Sequence, residues 1–272
     1  MCYSWPYRLI VRCLLPKIPR AFHNANAERL ASTVRSAVPL RLWRTAPGRR
    51  RHRRGRCAID RSLLAAEIRE FTESYVAEDN ILLAARARAA ELGILPIDPG
   101  SGAALRLLAG ATGARAVVEV GTGTGVSGLW LLRGMRPDGI LTTMDIEPEH
   151  QRLARLAFTE AGFPSSRTRL ITGRALEVLP RLADAAYDLV FIHSEKAEYP
   201  QMLTEAQRLL RPGGVVALDN ALGSGRVIDP AARDPESVAL REVVRELRDS
   251  DEWLPALLPL GGGLLCAVKK PV

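Results

Sequence analysis

Residues 117–125 read VVEVGTGTG, an apolar run that passes directly into three alternating glycines. Glycine adopts positive φ at little cost, and it lets a ligand approach the bare backbone. The residues that follow, 127–133, are mostly apolar and contain no proline, which favours a helix. The stretch therefore predicts a strand, a glycine loop and a helix that together bind a nucleotide-like ligand.

Two acidic residues near the glycines bear on the charge of that ligand. The loop also fits Gly123-x-Gly125-x-x-Gly128, so glycine spacing alone does not separate a nicotinamide cofactor from S-adenosylmethionine. Glu119, at the tip of the predicted strand, would repel a pyrophosphate and attract the ammonium and sulfonium groups of S-adenosylmethionine. Asp145, at the end of the next strand, suits the ribose hydroxyls of either cofactor. Glu119 thus favours S-adenosylmethionine.

Outward from the loop, short apolar runs alternate with helical segments. Two amphipathic helices end near Gly93, and a further helix covers 105–108. The apolar runs cover 116–120, 140–144, 169–172, 189–193 and 215–219, and the helical segments cover 127–133, 148–161, 176–182 and 199–210. This alternation predicts an α/β, Rossmann-like, doubly wound sheet that is mostly parallel. Segments 253–260 and 263–269 follow a helix at 238–247 and predict a C-terminal antiparallel hairpin strand.

Charge is divided unevenly along the 272 residues. Lys and Arg number 38 against 30 Asp and Glu, but residues 1–59 hold 14 of the basic residues and one acid, Glu28. We expect residues 1–59 to be a basic, disordered arm that is dispensable to the fold and lies upstream of the true start. A phosphate-binding tail and an organelle-targeting peptide are the alternatives. Residues 60–272 form the predicted catalytic domain, and their net negative charge argues against a nucleic-acid partner.

Cysteine content and hydropathy limit the cellular compartments in which the protein is expected. Only Cys266 lies outside the arm, and no Cys-x-x-Cys or Cys/His zinc spacing occurs. A disulfide framework is therefore not expected. No apolar run reaches the ~18–20 residues of a membrane-spanning helix. We expect a cytoplasmic protein without a membrane partner.

Six stretches between residues 62 and 272 together resemble the cation-dependent, catechol-type and caffeoyl-CoA-type class I O-methyltransferases. They are EVGTGTGVSGLWL, LTTMDIEPEH, GRALEVLP, YDLVFIHSEKAEY, LLRPGGVVALDN and GSGRVIDPAARDPESVALREV. The resemblance implies transfer of a methyl group from S-adenosylmethionine to a hydroxyl of a small acceptor, phenolic or catechol-like. It also implies a homodimer paired through the N-terminal helices.

The same resemblance implies the residues that hold the cofactor. The first stretch lies along the methionine part, Asp145 matches the ribose-binding acid, Ala175 lies near the adenine, and Ile97 belongs to a loop that closes over the cofactor. The full set implied to bind S-adenosylmethionine is Ile97, Glu119, Gly121, Thr122, Gly123, Ser127, Asp145, Ala175 and His193.

The metal position departs from the family's pattern. Asp219-Asn220 matches the pair that helps to hold one divalent cation, but His193 stands where the family has an aspartate. An imidazole weakens Mg²⁺ and favours softer divalent ions from Mn²⁺ to Zn²⁺. Three interpretations of His193 stay open: it ligates a softer metal with Asp219 and Asn220, it acts as general base without a metal, or it is a satisfied polar residue in a site that lost its ion.

Lys196 is the second candidate catalytic residue, since it matches the lysine that the family places beside the acceptor hydroxyl. Tyr199 is expected to pack rather than to react. The implied reaction is an in-line displacement in which an ionised hydroxyl attacks the sulfonium methyl. A metal, if bound, would lower the pKa of that hydroxyl.

Other function classes remain open at this stage. One is a non-catalytic S-adenosylmethionine-binding protein in which the altered metal position marks lost chemistry. Another is a nucleic-acid methyltransferase guided by the basic arm, although no Asn/Asp-Pro-Pro-Tyr/Phe motif follows the fourth strand. A nicotinamide oxidoreductase is the third.

Overall fold

The computed structural model describes residues 61–271, with side chains from residue 64 onward. The prediction of a basic, disordered arm at 1–59 lies outside these residues. Within the described range, no helix combines the length and apolarity needed to cross a bilayer.

Helices and strands alternate along the described chain. The α-helices are α1 (Arg61–Ser74), α2 (Asn80–Glu91), α3 (Pro99–Ala111), α4 (Val126–Gly134), α5 (Pro148–Glu160), α6 (Ala175–Val178), α7 (Tyr199–Leu209) and α8 (Pro235–Asp249). The strands are β1 (Ala116–Val120), β2 (Ile140–Asp145), β3 (Thr168–Thr172), β4 (Tyr187–Ile192), β5 (Leu210–Leu218), β6 (Trp253–Leu258) and β7 (Leu264–Lys269). Short 3₁₀ helices cover Ser165–Arg167, Leu179–Arg181, Lys196–Glu198 and Gly223–Gly225.

Side-chain caps mark where two of these helices begin. Asp79 precedes α2 and accepts a hydrogen bond from the backbone N–H of Leu82, and Asp234 precedes α8 and accepts one from Ser237. Each carboxylate satisfies an N–H that has no partner inside the helix. Pro235 follows as the first residue of α8, where a missing N–H costs nothing.

The seven strands form one sheet in the order β3-β2-β1-β4-β5-β7-β6. The first five are parallel, and β7 pairs antiparallel with both β5 and β6. The predicted fold class is therefore confirmed: a Rossmann-like, doubly wound, mostly parallel sheet that closes with an antiparallel hairpin.

Among the element boundaries that differ from the prediction, two have identifiable reasons. The fifth strand begins at Leu210 rather than at 215, because Leu210 pairs with Tyr187 before the chain bulges and regular pairing resumes at Val215. The helix expected over 176–182 is the short α6 followed by a 3₁₀ turn. Pro180 lies in that turn, and proline removes a backbone donor that a continuing α-helix would need.

Alternation along the strands sends side chains to two apolar layers. Val118 and Val120 of β1 join the layer under α6, α7 and α8, whereas Val117 joins the layer under α2 to α5. Glu119 shares the orientation of Val117, since side chains two apart in a strand point the same way. A carboxylate is thus built into an otherwise apolar layer.

Candidate active site

A cavity of about 410 Å³ opens at the carboxyl ends of the parallel strands. It lies where β1 is flanked by β2 on one side and β4 on the other, the point at which doubly wound sheets place their ligands. Eight of the predicted site residues line it: Ile97, Gly121, Thr122, Gly123, Ser127, Asp145, Ala175 and His193.

The glycine loop crosses the end of β4 at very close range. Gly121 has φ of +93°, and a side chain there would overlap the backbone carbonyl oxygen of His193. The backbone N–H of His193 in turn donates to the carbonyl of Val120 at 2.8 Å, which continues the pairing of β1 with β4. Only glycine permits both this backbone conformation and this contact.

Asp145 ends β2 at the opposite wall of the cavity. Its Oδ2 accepts a hydrogen bond from the backbone N–H of Gly123 at 2.9 Å, and its Oδ1 accepts one from Glu147 at 3.1 Å. His150 Nδ1 lies 3.1 Å from the same Oδ1. The carboxylate therefore fixes the glycine loop to the first turn of α5.

Glu119 lies under the loop rather than in the cavity wall, which corrects the expectation that its carboxylate faces a ligand. Strand alternation directs it into the apolar layer, where it is fully buried beside Gly128 of α4. Burial raises its pKa to about 7, and hydrogen bonds from Ser127 and Thr143 only partly oppose this. One oxygen, Oε1, has no partner among the described residues.

A buried polar chain that the sequence did not reveal connects Glu119 to α5. The Thr143 hydroxyl donates to Glu119 at 2.6 Å and lies 2.7 Å from the Thr122 hydroxyl. Gln151 donates from Nε2 to Thr122 at 2.9 Å and to the carbonyl of Ile171 at 3.1 Å. Adjacent threonines in an apolar strand, at 142 and 143, were the only available sign of it.

His193 and Asp219 form a pair at the ends of β4 and β5. His193 Nδ1 lies 3.0 Å from Asp219 Oδ2, and the side chain of Asp219 is 8% exposed against 31% for His193. The hydroxyl of Tyr199 lies 3.2 Å from the backbone carbonyl of Asp219 and 3.4 Å from that of Ile192. Tyr199 is fully buried, and burial raises its pKa, so it packs under the pair as expected.

The predicted metal ligands follow the ends of β4 and β5, and part of their ligand capacity is engaged within the protein. Asp219 Oδ1 and Asn220 Oδ1 are buried and find no hydrogen-bond partner within the described part of the chain, which would suit an ion. However, Asp219 Oδ2 is engaged by His193, and Asn220 Oδ1 packs against the backbone of Gly262. Between residues 61 and 271 no three His, Cys, Asp or Glu side chains form a cluster suited to a metal, but the predicted set combines only two such residues with Asn220. Metal binding stays a prediction, and the reaction proposed for His193 does not require it.

Lys196 does not line the cavity, although the family resemblance implied a place beside the acceptor. It begins the 3₁₀ turn that leads into α7, and this turn directs Glu195 and Glu198 to the cavity instead. Glu198 is held by Arg174 at 2.8 Å, and both line the cavity wall. Sequence reasoning did not identify Glu198 or His150, because neither belongs to the glycine motif.

Comparisons with a protein-family model and with individual known proteins agree with one another. A family model described as O-methyltransferase matches residues 73–270. A Mycolicibacterium vanbaalenii protein named "Putative O-methyltransferase" is 54% identical over 209 residues, which cover 77% of this chain and 92% of the relative.

Two solved structures resemble the chain in sequence and fold. The O-methyltransferase TomG of Streptomyces achromogenes, involved in tomaymycin synthesis and solved with SAM, is 30% identical with a TM-score of 0.69 over 76% of this chain and 96% of that one. An O-methyltransferase from Bacillus cereus, solved with SAH, is 27% identical with a TM-score of 0.68 over 75% of this chain and 97% of that one.

Proposed function

The chain belongs to the O-methyltransferase family, and from that premise we propose that it methylates a hydroxyl of a small phenolic or catechol-like acceptor. It is an S-adenosylmethionine-dependent O-methyltransferase. Family membership thus answers the choice between S-adenosylmethionine and a nicotinamide cofactor that the glycine spacing left open. The acceptor class and the roles of individual residues are our proposal.

The cavity supports one orientation of the cofactor. In the proposed orientation the methionine part lies along Gly121, Thr122 and Ser127, and the ribose lies at Asp145. The adenine lies beside Ala175, and Ile97 covers the cofactor. Glu119 acts from beneath the loop, where its ionised form attracts the cationic donor through a poorly screened interior.

The His193–Asp219 pair is the observation that carries the proposed mechanism. An ionised carboxylate only accepts hydrogen bonds, so Asp219 fixes the hydrogen of His193 on Nδ1 and leaves Nε2 free to accept a proton. The acceptor hydroxyl gives its proton to Nε2, and its oxygen attacks the sulfonium methyl. The carbon–sulfur bond breaks, and a methyl ether and S-adenosylhomocysteine form. Asp219 stabilises the imidazolium that results.

Lys196 remains a proposed contributor on the strength of the family resemblance. It lies outside the cavity wall, so a direct role requires the turn at Lys196–Glu198 to move toward the acceptor. The pair formed by His193 and Asp219 requires no such movement.

Family membership excludes the non-catalytic S-adenosylmethionine-binding protein that the sequence left open. A methyl-transfer assay on 3,4-dihydroxyphenyl acceptors tests the proposed acceptor class and the metal-free role of His193. We expect turnover in chelator as well as in Mg²⁺, Mn²⁺ and Zn²⁺. No transfer to any phenolic acceptor with any metal would overturn the proposed acceptor class, and turnover that chelator abolishes would restore the metal interpretation.

We also propose that the protein is a homodimer. Helix α1 and the residue that follows it present an apolar stripe to solvent, formed by Leu64, Ile68, Phe71 and Tyr75 at helical spacing. Phe71 and Tyr75 are 67% and 76% exposed, more than a monomeric surface ordinarily leaves as a continuous aromatic face. A second copy of the same helix is the occupant that we propose.

A further inference from the structure

Asp145 has most of its hydrogen-bonding capacity occupied within the protein. A carboxylate offers about four lone-pair positions. Three are taken by the backbone N–H groups of Gly123 and Glu147 and by the ring of His150, at 2.9, 3.1 and 3.1 Å. One position, on Oδ2, is left. A ribose presents two hydroxyls, so a second protein group is needed for the other.

His150 has the position and chemistry to be that group. Its ring lines the cavity together with Asp145, and its side chain is 22% exposed. Because the Asp145 carboxylate accepts, Nδ1 of the neutral ring carries the hydrogen and Nε2 becomes an acceptor. Among the described residues Nε2 has no hydrogen-bond partner.

We propose that His150 is a cofactor-binding residue whose Nε2 accepts a hydrogen bond from one ribose hydroxyl, while Oδ2 of Asp145 accepts one from the other. This inference rests on the proposed placement of S-adenosylmethionine in the cavity. The Nδ1 contact holds the ring in place before the cofactor arrives, so little side-chain freedom is lost on binding.

The neighbours of His150 are less suited to this role. Gln151 is turned inward, where its amide donates to Thr122 and Ile171. Glu147 lines the cavity, but its exposed side chain makes no hydrogen bond with another described residue that would hold it there. Glu147 is therefore the competing acceptor that an experiment must separate from His150.

Calorimetry with S-adenosylhomocysteine and its 2′-deoxy and 3′-deoxy analogues tests the proposal. His150→Ala removes both ring contacts, whereas His150→Asn keeps a donor near the position of Nδ1 and removes the Nε2 acceptor. We expect both variants to bind S-adenosylhomocysteine about 3- to 10-fold more weakly, the size of one neutral hydrogen bond. For the analogue that lacks the contacted hydroxyl, we expect wild type and His150→Asn to bind equally well. Glu149→Gln, an exposed neighbour on the same turn, is the matched control and should bind like wild type.

Three other outcomes of these binding measurements would lead to different conclusions. An equal loss for all three ligands would show that His150 acts only on the structure of the site, and would overturn the proposal. A ligand-dependent loss that appears in Glu147→Gln instead would assign the contact to Glu147. Failure of the folded wild-type protein to bind S-adenosylhomocysteine at all would overturn the proposed function rather than this inference alone.

Discussion

Glu119 and Thr143 stand opposite each other in register on adjacent parallel strands, and the Thr143 hydroxyl donates a 2.6 Å hydrogen bond to the buried carboxylate. The hydrogen bonds to Glu119 come from the hydroxyl groups of Ser127 and Thr143, and burial nevertheless raises its pKa to about 7. Above that pH the site below the glycine loop holds a negative charge at a cost in stability, and a bound cationic cofactor would offset that cost.

The first prediction concerns the pH dependence of stability. The pKa of Glu119 is about 7 in the folded protein against an ordinary 4.5, so the folded state holds its proton more tightly than the unfolded state. Its contribution is fully present below about pH 4.5 and is lost as the pH rises through 7, because the folded chain must then bury a charge. We expect Glu119→Gln to raise the free energy of unfolding of the cofactor-free protein at pH 8 by up to about 3 kcal/mol.

Urea unfolding at pH 5 and pH 8 measures this effect. The exposed control Glu149→Gln should keep the wild-type difference between the two pH values. An unchanged difference in Glu119→Gln would show that the carboxyl group does not titrate in this range.

The second prediction concerns the proposed base. His193→Ala should lower kcat about 10²- to 10⁴-fold, because it removes the group that accepts the hydroxyl proton. Asp219→Asn should act in the same direction, since its amide can donate to Nδ1 and place the ring hydrogen on Nε2. Calorimetry with S-adenosylhomocysteine should show a much smaller change in both variants. Retained turnover in Asp219→Asn would argue against a fixed tautomer.

The third prediction concerns the close contact between Gly121 and the backbone carbonyl of His193. Gly121→Ala should destabilise the protein by about 3–5 kcal/mol, because the added methyl group overlaps the carbonyl of His193. Gly113→Ala is the matched control: Gly113 also has positive φ, at +57°, but nothing lies within 4 Å of the added methyl group. Its expected cost is the backbone strain alone, about 1–2 kcal/mol. Equal thermal shifts in the two variants would show that the overlap is relieved elsewhere.

The fourth prediction concerns the oligomer. A double substitution, Ile68→Glu with Phe71→Glu, should convert a dimer to a monomer, because charges would replace the centre of the apolar stripe. Light scattering gives the mass directly. Leu107→Glu, at a comparably exposed apolar residue of α3, should leave the dimer intact. A monomeric mass for the wild-type protein would refute the proposal.

Much of the fold could be predicted from the sequence, because the apolar runs and glycines reflect the conformation that each segment adopts locally. The run at 116–120 is β1 itself, and the glycine loop lies where the strand ends. The orientation of Glu119 also follows from strand alternation, whereas its position at the strand tip does not by itself define which face it occupies. For Glu119, the predicted position at the end of the strand is right, but the predicted surroundings of its side chain are wrong.

The rest of the site depends on contacts between distant segments. His193 and Asp219 are 26 residues apart, and they meet only because Ile192 and Leu218 share a register position on β4 and β5. A single sequence carries no record of that register. Lys196 illustrates the converse, since the 3₁₀ turn before α7 directs away from the cavity a residue that the family resemblance placed beside the acceptor.

The crossing of Gly121 over His193 limits how this enzyme could be re-engineered. The backbone that carries the proposed proton acceptor fills the space needed by any larger residue in the donor loop. The donor loop at Gly121 and the end of β4 at His193 are therefore packed against each other, so neither segment could be replaced or varied without changing the other. Variant libraries aimed at new acceptors should therefore keep the contact between Gly121 and His193 unchanged and vary the peripheral helices.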